Sequence, residues 1–164
     1  MKFAYTAWNN ETSPLPICRR GPITTNPTMT PNRPSPEPDL SSAPFYEGLQ
    51  QHRLLVQRCP HCGTIQLGEL YCNHCHADGL QWVPASGRAR LHSYVHMHMS
   101  YHEGFADQIP YNAATIELEE GPRFYTNIVG MDGQELVIGM PLQVQYSTLS
   151  TGTVVPVFAP RTEQ

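Results

Sequence analysis

A chain of 164 residues and 18.4 kDa has room for one domain with an extension, or for two very small modules, and excludes a large multidomain enzyme. Charged residues make up only 15%, no apolar run approaches the roughly 18 residues of a membrane span, and proline, at 16, is about twice its usual ~5% share. A coiled coil, a highly charged disordered chain and a membrane-spanning helix are thereby excluded. Lys2 is the only lysine, and beyond residue 39 six arginines face eleven acids, a net −5. That balance removes Schiff-base chemistry from the folded part and makes nucleic acid an unfavoured partner.

The first segment, residues 1–43, carries eight of its prolines before residue 40 (Pro14, Pro16, Pro22, Pro27, Pro31, Pro34, Pro36, Pro38) and has no apolar periodicity. Such a composition cannot bury enough surface to offset about 1–2 kcal/mol of backbone entropy per residue, so it reads as a disordered Pro-rich tail, with residues 1–39 dispensable for folding and association. MKFAYTAWNN turns polar too soon for a secretory core, which leaves a cytoplasmic reading. Residues 44–57 then read as a short docking helix. Phe45, Leu49 and Leu54 share one face, Pro44 suits the first turn, and Ser41 or Ser42 stands where a cap belongs. The apolar stripe is thin, so the helix must lie on something else, either its own domain or a partner.

Residues 58–84 hold Cys59, Cys62, Cys72 and Cys75 in a C-x2-C-x9-C-x2-C arrangement, while a fifth cysteine, Cys18, stands in the tail. Each C-x-x-C turn aims two thiolates at one point, and Gly63 supplies the left-handed turn that such a knuckle needs. One Zn2+ per chain is the expected ion; the spacing alone also fits a rubredoxin-type iron. Four protein thiolates leave no position for water, which makes the metal structural. His61, His74 and His76 lie beside the ligands as surface residues.

Residues 85–160 read as strands at 88–99, 111–120, 123–130, 142–149 and 153–158, parted by Gly and Pro turns. Five short strands fit a small closed barrel of the OB type, since closure removes exposed edges. Along 88–99 strict alternation puts Ala89, Leu91, Val95 and Met97 inside and Arg88, Arg90, His92, Tyr94, His96 and His98 outside, of which only His96 and His98 are close enough to share an ion. The chain has no nucleophile elbow, zincin motif or phosphate loop, so no catalytic residue is assigned. The predicted class is therefore mainly β: a short N-terminal helix, a rubredoxin-like zinc ribbon and a five-stranded OB-fold barrel.

Helix PFYEGLQQHRLL, ribbon CPHCG and YCNHC, then SGRARLHSYV, FADQIPY, IELEEGPRFYTNIVG and IGMPLQV together resemble the zinc-ribbon plus OB-fold family catalogued as domain of unknown function thirty-five. The resemblance covers residues 44–160, or 117 of 164, with the FADQIPY loop and GPRFYTN hairpin its most discriminating parts. It implies a non-catalytic subunit that docks on a thiolase-superfamily partner (a thiolase, acyltransferase or aldolase) and helps form its acyl-CoA site. On that reading Phe45 and Leu49 of the helix and Phe105, Ile109 and Tyr111 of the 101–111 loop contact partner or acyl-CoA, with Arg88, Arg90 and Arg123 the cations available to the coenzyme's phosphates. The competing reading is a single-stranded nucleic-acid binder using Tyr94, Tyr101 and Tyr125, which the negative charge opposes.

Overall fold

The computed structural model describes residues 34–131 and 135–161. Residues 1–33 of the expected tail lie outside that range. Of residues 34–42, read with the tail, Ser35 touches the domain, while 37–40 are exposed and the turn into the helix is held locally. The Ser35 hydroxyl hydrogen-bonds the Thr153 hydroxyl at 2.7 Å and accepts from that of Thr151 at 3.1 Å. Asp39 Oδ1 accepts from the backbone N–H groups of Ser41 and Ser42 at 3.1 and 2.7 Å. Ser42 does stand at the helix N-cap, but its hydroxyl donates back to Asp39 Oδ1 at 2.6 Å and does not cap the helix.

Helix α1 spans Ala43–Gln50, shorter than the 44–57 that the apolar spacing predicts. It stops because His52 takes a left-handed φ of 55°, letting Arg53 N donate to Gly48 O at 2.9 Å and His52 N to Leu49 O at 2.9 Å, the paired bonds of a Schellman end. The His52 ring stacks on Tyr146 at 5.0 Å. Gly48 sits where the returning chain passes, since a Cβ there would lie 2.8 Å from the Leu55 side chain. The thin stripe docks on the chain's own core: Leu49 is 0% exposed, and Phe45 and Tyr46 pack partly buried against the same cluster.

Residues 55–57, assigned to the helix by sequence, open a three-stranded antiparallel sheet ordered β2-β1-β3, from β1 (Leu55–Arg58), β2 (Ile65–Gln66) and β3 (Gln81–Pro84). The barrel follows with β4 (Arg88–Met97), β5 (Tyr111–Leu118), β6 (Arg123–Thr126), β7 (Pro141–Thr148) and β8 (Val154–Pro160), ordered β6-β5-β4-β7-β8. Period-two burial holds along β5, where Ala114, Ile116 and Leu118 enter the core that also contains Leu142 and Phe158.

Along β4 the predicted alternation fails halfway. A register shift between Leu91 and Ser93 inserts an extra residue and exchanges the faces beyond it. Tyr94, expected outside, packs against the core, and Val95, expected inside, is 55% exposed. Closure comes from a parallel bridge between Ile128 and Phe158, which joins the two ends of the curled sheet.

Asn112 secures that seam. Its Nδ2 donates to Ile128 O and its Oδ1 accepts from Ile128 N, both at 2.7 Å, so one side chain satisfies both backbone groups of a buried residue. Asn112→Ala leaves both unpaired and is expected to cost about 2 kcal/mol. At roughly 4 °C per kcal/mol, calorimetry should show the thermal midpoint falling by about 8 °C.

Candidate functional site

The two knuckles share one backbone design. Cys59 N donates to Thr64 O at 2.9 Å and Gly63 N to Cys59 O at 3.0 Å; Cys72 N donates to Ala77 O at 2.8 Å and His76 N to Cys72 O at 2.9 Å. The residue after the second cysteine is left-handed in each, Gly63 at φ 76° and His76 at φ 58°. Sequence marked the first through its glycine and missed the second, where a histidine adopts the same conformation.

The four Sγ atoms of Cys59, Cys62, Cys72 and Cys75 all lie within 4.8 Å of one another, with Cys59 to Cys75 at 3.6 Å and Cys62 to Cys72 at 3.5 Å. A tetrahedron with Zn–S near 2.3 Å has edges of about 3.75 Å, so the donor set fits one such ion. Its chemistry agrees. The Thr64 hydroxyl, 3.1 Å from Cys62 Sγ, and the Thr64 backbone N–H hold the Cys62 thiol down at about 5. The Ala77 N–H pulls Cys75 the same way, yet the sulfurs of Cys62, Cys59 and Cys72, with partial loss of solvent, push it up to about 12. Four sulfurs this close cannot all ionise unaided, and a divalent cation removes the conflict. Among the described residues no other group of three or more histidines, cysteines or acids converges this way.

Two buried glutamines also support the ribbon, and sequence reasoning passed over both. Gln57 and Gln66 face each other on β1 and β2; Gln57 pairs with backbone groups of the loop joining the knuckles, and Gln66 with that loop at Tyr71 O and with the second knuckle at Asn73 N. Their only signal is a glutamine directly after apolar strand residues, as in LVQ and IQ.

The contact residues named from sequence divide into two groups. Phe105, in a short 3-10 helix over Glu103–Gln108, stacks on Tyr111 at 5.7 Å, and half-buried Ile109 ends that turn. Phe105 also lines an apolar cavity of about 350 Å3 with Phe45, Tyr46 and Tyr125. Tyr111 lines a second cleft of about 410 Å3 at the barrel mouth, with His96, Gln108, Asn112, Asn127 and Ser147. Leu49 belongs to neither, being sealed in the core, which removes it from the contact set.

The arginines are also differently placed. Arg88 Nε lies 2.7 Å from Glu119 Oε2, Arg123 Nε donates to Glu117 Oε2 at 2.6 Å, and Arg90 donates to Gly139 O at 3.0 Å. The antiparallel register sets Arg123 opposite Glu117, so the acids claim cations that the sequence left available for phosphate. Of the tyrosines named for the nucleic-acid alternative, Tyr94 packs against the core, while Tyr101 and Tyr125 are largely exposed. No helix among the described residues is long and apolar enough to cross a membrane.

Fold and site together define a two-part protein, a four-cysteine metal ribbon joined to a small OB barrel. Residues 47–81 match the family described as the ChsH2 rubredoxin-like zinc ribbon domain, and residues 82–147 the ChsH2 C-terminal OB-fold domain. The chain is 32% identical over 99 residues to a DUF35 domain-containing scaffold protein of Methanothermobacter thermautotrophicus, covering 59% of this chain and 74% of that one. It is 34% identical over 133 residues to a probable enoyl-CoA hydratase alpha subunit of Thermomonospora curvata, covering 80% of this chain but only 41% of the relative's length. A solved chain of the Ltp2-ChsH2(DUF35) aldolase superposes with a TM-score of 0.69 at 33% identity, covering 77% of this chain and 98% of that chain. The chain belongs to the DUF35 family of zinc-ribbon and OB-fold proteins, and its ribbon is built to bind one metal ion.

Proposed function

We propose that this chain is a non-catalytic subunit that docks on a thiolase-superfamily partner and helps form that partner's acyl-CoA site. The observation that carries the reading is the likeness to almost the whole of a chain from the Ltp2-ChsH2(DUF35) aldolase. Cys59, Cys62, Cys72 and Cys75 would close the shell of a bound ion, which suits a structural and not a catalytic centre. Phe105 and Ile109 stand on the segment between strands β4 and β5 and Tyr111 opens β5, all three half-buried, where a covering surface would bury them further.

The barrel-mouth cleft refines the proposal. No arginine, lysine or acid lines it; its polar groups are His96, Gln108, Tyr111, Ser147 and two asparagines. Such a lining suits the amides of a pantetheine arm and not phosphates, and Arg88 and Arg123 are already paired with Glu119 and Glu117.

Copurification from native cells, with identification of the bound protein, tests the reading. An acyl-CoA enzyme of the thiolase superfamily is expected, and Phe105→Ala or Tyr111→Ala should lower its turnover about tenfold or more. If both variants leave complex formation and turnover unchanged, the loop assignment fails. A chain that purifies alone, or that shifts single-stranded nucleic acid in a salt-dependent gel assay, overturns the subunit reading.

A further inference from the structure

We propose that Gln66 is a positioning residue of the metal centre, its buried carboxamide fixing Cys72 by holding the peptide groups on both sides of that ligand. Gln66 Nε2 donates to Tyr71 O at 2.9 Å and its Oε1 accepts from Asn73 N at 2.9 Å. Residues 71 and 73 flank Cys72, so one rigid planar group spans the ligand much as a neighbouring strand would. Both ends are sheltered, Gln66 being 3% and Cys72 0% exposed. Gln57 holds the approach at Glu69 and the knuckle holds Cys72's own N–H and C=O, but the peptide groups on either side of Cys72 are held by Gln66, in a stretch where Leu70 and Tyr71 are largely exposed.

An internal control adjoins it. Gln57, the cross-strand neighbour of Gln66, is 4% exposed and makes the same two kinds of bond to the loop leading into that knuckle, donating to Glu69 O at 2.9 Å and accepting from Glu69 N at 3.0 Å. Glu69 is not a ligand. The two glutamines thus match in chemistry, burial and bond lengths and differ in whether they bracket a thiolate. A merely structural role predicts equal consequences for the metal when either is lost; a positioning role predicts unequal ones, because groups beyond the ligands typically tune metal affinity by about 10–100-fold.

The test uses the full-length zinc-loaded chain, following zinc release to a chromophoric chelator, with the visible spectrum of the cobalt-substituted protein as a second readout. Gln66→Leu is expected to speed release by about tenfold or more and to shift the cobalt bands, while Gln57→Leu changes release by less than about threefold at a similar loss of thermal midpoint. Equal release from the two variants, or wild-type release from Gln66→Leu, overturns the proposal. Should Gln66→Leu fail to fold, Gln66→Glu decides the matter, since it keeps the acceptor for Asn73 N–H and loses the donor to Tyr71 O. Faster release from it supports the assignment, and wild-type release overturns it.

Discussion

Cys72→Ser is expected to abolish tight metal binding and to unfold the ribbon while the barrel strands stay formed. The ribbon strands are two to four residues long, and short antiparallel pairs are at best marginal in water. The metal supplies what these strands lack, because binding free energy of roughly 10 kcal/mol or more is folding free energy in such modules. A serine hydroxyl is not ionised at neutral pH, so the substitution leaves three thiolates and an open position at the most enclosed corner, Cys72 being 0% exposed. The barrel has its own core in Leu91, Ile116, Leu118, Leu142 and Phe158, although Leu54 and Val56 reach into it and some barrel stability should be lost as well. Hydrogen exchange is expected to show protection lost across residues 55–84 and largely kept in β4, β5 and β7. Elemental analysis of the fresh wild-type chain should give about one equivalent of zinc; less than about half an equivalent of zinc or iron would sink the claim.

What the sequence made legible was whatever repeats with a short period or fixed spacing. The four cysteines announce a tetrahedral site because two tight turns are all the geometry it needs. Strand β5 is readable because Ala114, Ile116 and Leu118 alternate with Thr115 and Glu117. Features that depend on one local departure were not readable. Nothing in RLHSYV marks the bulge after Leu91, yet it reverses which side of β4 carries Tyr94 and Val95. The stretch QQHRLL continues a helical pattern, and only the left-handed turn at His52, packed on a tyrosine nearly a hundred residues away, ends it. Long-range register decides the fate of Arg88, which meets Glu119 through the β4–β5 pairing, whereas Arg123 meets Glu117 across a hairpin only six residues away, a local pairing that the sequence reading passed over. Gln57 and Gln66 escaped notice because a glutamine is usually solvated, and their loop partners become adjacent only once the ribbon is folded.

The joint between ribbon and barrel yields the other large expected effect. Gly87 lies between β3 and β4, is buried, and has φ +72° while its carbonyl accepts from Val144 N at 2.8 Å. A Cβ added there would lie 2.4 Å from Val144 Cγ1, 3.0 Å from Gln143 Nε2 and 3.3 Å from Val144 Cβ. Gly87→Ala therefore meets two penalties: about 1–2 kcal/mol for a left-handed alanine and about 1–3 kcal/mol for forcing a methyl group into packed strand β7. A loss of about 3 kcal/mol is expected, which at roughly 4 °C per kcal/mol lowers the thermal midpoint by about 12 °C. Gly68→Ala separates the two penalties. Gly68 has φ +75°, but nothing lies within 4 Å of an added Cβ, so it should carry the backbone penalty alone, about 1 kcal/mol. The difference between the variants then measures the close approach of the linking turn to β7. Equal midpoints for Gly87→Ala and Gly68→Ala would mean that Val144 moves aside at no cost, and the view that packing against β7 makes Gly87 obligatory at this joint would have to be abandoned.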